Sequence, residues 1–236
     1  MRIDKTTYEV DLSDGDCHPI YVWEGPVRVW HWLMVVTMVA MIVTGYMIGR
    51  PLSSNMADTW STYQFGYIRM IHFIAGFAFT ALFIYRIFWA FWGNRYARQI
   101  FMPPLWSWKF IKGIINQALY YLFFKKSAPE YAAHNPLAAV AMFAFFVLGS
   151  FGIIITGFAL YGQAFGAGTG WETVTGWVIP LFGDSQAVRT VHHALMYIFC
   201  LFMVAHLYMA SREDIMGGAT EMSAITNGLR MFKHAK

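Results

Sequence analysis

Charge is what this chain has least of. Only 13% of its 236 residues are Asp, Glu, Lys or Arg, about half the share of a soluble domain, while 58% are hydrophobic and 19% aromatic. That shortage excludes an ordinary water-soluble globule and points to a membrane protein. Cysteine is almost missing too. Cys17 in the N-terminal tail and Cys200 in an apolar run stand in no pairing pattern, so neither a disulfide framework nor an iron–sulfur motif is present. The opening MRIDKTTYEVDLSDGDCHPIYVWEGP is polar and mixed in charge, so no cleavable signal peptide is expected and the first span directs insertion. The basic residues are scattered among loop ends, which leaves nucleic-acid binding without support.

What the chain has instead is long uncharged runs. Span I is Val29–Gly49, just after Pro26, a helix-start residue. Span II is Tyr67–Trp92, interrupted by Arg69, His72 and Arg86. Span III, Leu137–Tyr161, is 25 residues with no ionisable side chain except its terminal tyrosine. Span IV, Val191–Ala210, reads VHHALMYIFCLFMVAHLYMA. Each is long enough to cross a bilayer as a helix. The expected fold is therefore an all-α membrane protein, a bundle of four transmembrane helices over residues 27–212, between tails 1–26 and 213–236. Between spans II and III, Phe101–Phe124 carries Pro103, Pro104, Lys109 and Lys112 among aromatics. A fifth crossing would bury both lysines in hydrocarbon, so an amphipathic segment lying in the membrane interface is expected. The glycine-rich loop 162–190 carries an apolar WVIPLF patch expected at the interface.

Orientation follows from Lys and Arg near the span ends. Arg95, Arg98, Lys109, Lys112, Lys125 and Lys126 lie between spans II and III, with Arg212, Arg230, Lys233 and Lys236 after span IV and Arg2, Lys5 and Arg28 before span I. The opposite side has Arg50, Arg69 and Arg189. Both termini are expected in the cytoplasm.

Histidines then stand out, because a histidine in hydrocarbon is costly and normally has a functional partner. His192 and His206 are fourteen residues apart, hence about 40° apart around one helix and roughly 21 Å apart along it. His193 would point about 140° away from His206. With the expected topology, His72 and His192 lie towards the outer side, and His31 and His206 towards the inner. Two pairs at two depths are what two haems with bis-histidine axial ligation need, held in a four-helix interior. Gly45 lies fourteen residues after His31, and Gly76 one turn after His72, where small residues leave room for a macrocycle or for close helix packing. Arg28, Arg69 and Arg86 are candidate partners for haem propionates, against snorkelling to headgroups. A single intramembrane histidine also suits a proton relay or the interface, and the pairing by depth is what favours ligation. Zinc is disfavoured, since buried His pairs without carboxylates or thiolates make no usual zinc set.

RVWHWLMVVTMVAMIVTGY in span I, GYIRMIHF in span II, AHNPLA before span III and AHLYMASREDIM in and after span IV resemble the b-type cytochrome subunit of membrane-bound nickel–iron hydrogenases. The likeness runs from about Tyr21 to Gly228, with the N-terminal tail and loop 162–190 individual to this chain. The resemblance implies a bacterial inner-membrane anchor with two haem b groups, ligated at His31, His72, His192 and His206. It would take electrons from a periplasmic hydrogenase, through the iron–sulfur small subunit that serves the nickel–iron large subunit, and pass them to membrane quinone. Hydrogen chemistry would stay on those partners. His193 stands where the family carries Arg, which makes the adjacent pair ambiguous; the fourteen-residue spacing favours His192. For the quinone side, His134 in AHNP and Glu213 and Asp214 in SREDIM are candidates, against plain readings as a helix start and a solvated helix end. Alternatives are the haem-b subunit of a formate dehydrogenase or related oxidoreductase, a histidine-containing transporter or proton channel, and a purely structural anchor.

Overall fold

A computed structural model describes residues 2–11, 19–51, 63–127, 129–166, 168–217 and 220–232. Cys17 and most of the connection between spans I and II lie outside the described residues. In chain order the elements are β1 (Arg2–Ile3), β2 (Val10–Asp11), β3 (Ile20–Tyr21), α1 (Gly25–Gly49), α2 (Gln64–Trp92), α3 (Trp108–Tyr121) and α4 (Pro136–Ala141). A π-helical stretch, Met142–Leu148, leads into α5 (Gly149–Gln163), followed by α6 (Gly170–Thr175), α7 (Val178–Phe182), α8 (Ser185–Gly217), α9 (Glu221–Asn227) and β4 (Leu229–Arg230).

Four helical stretches are long and apolar enough to cross a membrane: Gly25–Gly49, Gln64–Trp92, Pro136–Gln163 and Ser185–Met216. They are the four spans expected, each longer than its uncharged core. Span IV shows why. Asp184 Oδ1 accepts from the Ala187 backbone N–H at 2.7 Å, starting α8 before the apolar run, and no proline or internal glycine interrupts it until Gly217. Continuing the helix through SREDIM keeps its backbone groups bonded where the chain leaves hydrocarbon. Large aliphatic side chains face outward, Val36 at 69% and Leu201 at 71% exposure. Water would penalise such a surface and lipid accepts it. The protein is a mostly helical membrane protein with four candidate spans.

Span III is not one uniform helix. Asn135 caps it by accepting from the Ala138 N–H, with Pro136 at the first position, but the backbone widens into the π-helical turn before α5. Hydropathy reports only that such a run is buried in lipid, and carries no signal for its winding. Segment 93–136 does hold a 14-residue helix, α3, started by the Ser107 cap and burying Phe110, Gly113 and Gln117 on one face. Its opposite side exposes Trp108 and Ile115. The loop 162–190 is likewise mostly short helix, α6 and α7.

The chain divides into two compact units. One comprises Met1–Val29, Arg86–Leu148 and Leu201–Lys236. Its apolar core gathers Val10, Ile20, Val22, Tyr96, Ala132, Ala133 and Phe232. Here the polar tails are folded segments: β3 pairs antiparallel with β4, and the Val22 N–H donates to Gly228 O at 2.8 Å. Gly228, at φ 87°, lets α9 stop and the chain turn into β4. Glu24 accepts from Trp89 Nε1 at 3.0 Å and from the Asn94 N–H at 2.8 Å. The other unit comprises Trp30–Tyr85 and Gly149–Cys200. Ala159, Val178 and Val188 form a core there, and Phe158 stacks on Trp171 at 5.6 Å.

Candidate haem-binding site

The second unit brings His72 of α2 and His192 of α8 face to face. Their ring centres are 6.5 Å apart and their planes 73° apart. Neither ring hangs free: Thr44 Oγ1 on α1 is 2.9 Å from His72 Nδ1, and Thr156 Oγ1 on α5 is 2.9 Å from His192 Nδ1. Glycines make the room. A Cβ on Gly45 would meet His72 Cε1 at 3.2 Å, and one on Gly157 would meet His192 Cε1 at 3.1 Å. Around the pair lies a cavity of about 390 Å³, walled by Met38, Met41, Phe73, Phe77 and Met196, with Gly76 in its wall. Arg69, Arg189 and His193 also line it.

The residues fit a haem: two imidazoles face one another with 6.5 Å between ring centres and would hold an iron between them. The wall is thioether, aliphatic and aromatic, as a flat apolar macrocycle requires, with two arginines available to its carboxylates.

Other expected site residues are distributed as follows. His31, on α1 in the same unit, packs edge-on against Trp32, 5.4 Å between ring centres. His206, on α8 in the first unit, stacks on Phe202 at 5.8 Å. Arg69 is exposed, its guanidinium 5.6 Å from the Phe73 ring. Arg28 donates to Thr226 O. Arg86 is 2% exposed, donates to Ala97 O at 2.6 Å and lies over the Phe101 ring. A Cβ on Gly76 would meet only Met41 Sδ, at 3.7 Å, an ordinary contact. His193 donates from Nδ1 to Arg189 O at 2.9 Å.

His134, Glu213 and Asp214 belong to the first unit. The His134 backbone is clamped by Gln99, which accepts from its N–H at 3.1 Å and donates to its C=O at 2.7 Å. Asp214 accepts from the Met222 N–H at 3.0 Å, at the start of α9. Glu213 lies 3.3 Å from Arg212 and lines a polar cavity of about 210 Å³ with Gln117, Glu130, Glu221 and Arg230. Gln117 is 1% exposed and its Oε1 accepts no hydrogen bond among the described residues. Burial pushes the Tyr121 phenol above its ordinary range, with the Glu213 carboxylate adding to the shift. Burial also raises the Glu221 carboxyl, against the pull of Arg230 at 3.3 Å.

Thr44, Thr156 and Gly157 were not singled out from sequence, and Arg189 was read only for its charge. One signal was there: IVTGYMIG at 42–49 and IITGFALY at 154–161 repeat a Thr-Gly pair in the same apolar setting, on two different spans.

Residues 22–228 match the family described as prokaryotic cytochrome b561. The chain is 42% identical over 214 residues to the "Probable Ni/Fe-hydrogenase B-type cytochrome subunit" of Azotobacter chroococcum mcd 1, covering 91% of this chain and 89% of that protein. It is 41% identical over 218 residues to the "Probable Ni/Fe-hydrogenase 1 B-type cytochrome subunit" of Escherichia coli (strain K12), covering 92% of each. With the corresponding subunit of Rhodobacter capsulatus it shares 39% over 215 residues, 91% of this chain and 82% of that one.

Proposed function

Since this chain belongs to the prokaryotic cytochrome b561 family, as a b-type cytochrome subunit associated with nickel–iron hydrogenase, we propose that it carries electrons from hydrogen oxidation across the membrane to quinone through two haem b groups. The observation that carries the reading is the His72–His192 pair, 6.5 Å apart in an apolar cavity. Haem, when bound, supplies the one-electron iron couple. His72 and His192 would hold the outer haem, and, on their spacing in the sequence, His31 and His206 would hold the inner one. Arg69 and Arg189, at the cavity wall, would offset propionate charge. The methionines and phenylalanines keep water out and the local dielectric low, which raises the weight of each of these interactions.

Spacing supports two centres. His192 and His206 share one helix, fourteen residues apart, so ligands from the same face stand roughly 21 Å apart along it. That divides a long electron transfer into shorter ones. The Lys and Arg distribution supports a bacterial inner-membrane protein with both termini in the cytoplasm, so that the His72–His192 end faces the iron–sulfur small subunit and its nickel–iron large subunit. α3, with its lysines and exposed tryptophan, suits the cytoplasmic membrane surface. The quinone side is assigned to the cytoplasmic end, where Glu213 follows His206 by seven residues, two turns on and within about 20° of the same face.

Hydrogen added to the purified complex should produce the reduced b-type absorbance band. His206→Ala should lower haem from two to one per chain and stop quinone reduction while leaving outer-haem reduction intact. Unchanged haem content in that variant would overturn the pairing.

A further inference from the structure

The same pair of residues meets each ligand histidine. Thr44-Gly45 on α1 faces His72, and Thr156-Gly157 on α5 faces His192. We propose that Thr44 and Thr156 are positioning residues: each hydroxyl locks its histidine in the Nδ1–H form, so that Nε2 is presented to iron, and tunes that iron's potential. The inference rests on His72 and His192 being the ligands.

A hydroxyl has one proton to give. Thr44 Oγ1 lies 2.6 Å from Ala40 O, and Thr156 Oγ1 lies 2.7 Å from Gly152 O. A carbonyl oxygen only accepts, so the threonine proton goes there, in the back-bonding that threonine makes inside helices. A lone pair remains for the imidazole at 2.9 Å, and Nδ1 must donate into it. With the proton on Nδ1, Nε2 carries the free pair that binds metal. Both threonines are buried, at 7% and 2% exposure, so water does not compete for the bond. The glycine next in sequence completes the device. Its bare backbone lies against the Nδ1–Cε1 edge of the same ring, where a Cβ would sit at 3.2 or 3.1 Å and push the ring off the threonine. An acceptor on the ligand's second nitrogen also makes the imidazole a stronger donor and favours ferric iron.

The test uses the purified complex with Thr44→Val, Thr156→Val, and the matching Ser variants. Valine keeps the shape and removes the hydroxyl, whereas serine keeps the hydroxyl. Readouts are haem per chain, redox titration of each haem, and the ferric EPR signal, which depends on the angle between axial ring planes. The expected result for each Val variant is a shift of one haem to more positive potential with an altered EPR position, the other haem unmoved. Serine restores both. Loss of that haem in the Val variant alone, with serine retaining it, supports the same role. Unchanged potential and EPR in both Val variants, or equal defects in Val and Ser, would overturn it. His72→Ala and His192→Ala separate the two claims. If each removes one haem while the Val variants change nothing, only the threonine role fails; if both haems survive, the ligand assignment fails.

Discussion

Glycines around the proposed haem site differ in what they do, and the distances decide which. Gly45 and Gly157 lie against the His72 and His192 rings at 3.2 and 3.1 Å, tighter than ordinary contact, whereas the nearest neighbour of Gly76 is the flexible end of Met41 at 3.7 Å. Gly157→Leu is therefore expected to cost one haem per chain, and Gly76→Ala to keep both, as measured by haem content of the purified protein. Two haems retained in the leucine variant would show that this close approach is not needed. At this scale the histidines were legible because intramembrane polar groups are rare and their spacing has a direct helical meaning. The threonines were not. A threonine in an apolar helix has an ordinary local use, bonding to the preceding turn, and its second partner sits on another helix.

Elements were legible where hydropathy or amphipathicity runs over many residues. All four spans and the helix within 101–124 fall in that class. The two-residue strands β3 and β4 do not, since two residues cannot show an alternating pattern and their pairing joins residues far apart in sequence. The N-terminal segment reaches α3 through Asp4, which accepts from Lys109 Nζ at 2.9 Å, from the Thr7 N–H at 2.8 Å and from the Thr6 N–H at 2.9 Å. The Thr7 backbone N–H, with Lys109 and Thr6, holds the Asp4 carboxyl well below its ordinary 3.8. A depressed carboxyl contributes stability that is present above the unfolded value and lost as pH falls below it. Both partners of the ion pair are partly exposed, 55% and 31%, so the pair alone adds at most about 1 kcal/mol. Asp4→Asn should speed hydrogen exchange around Thr6, Thr7 and the start of α3 at neutral pH, and the difference from wild type should shrink on acidification below pH 3.8. An unchanged exchange pattern would show that the turn does not depend on that charge.

At the scale of the whole molecule, low charge and four apolar helices define a membrane protein, and family membership makes it a hydrogenase-associated b-type cytochrome. That membership also decides against a transporter, which could have used the histidines as a relay, and against a bare anchor, which has no use for them. We propose that α8 carries one ligand for each of two haems, His192 and His206, with His193 a neighbour bonded to the Arg189 carbonyl. The measurement that reaches this most directly is haem per chain, with the ferric EPR spectrum, for wild type, His192→Ala and His193→Ala. Two low-spin haems in wild type and in His193→Ala, and one in His192→Ala, are predicted. Two haems surviving in His192→Ala, or one lost in His193→Ala alone, would contradict it.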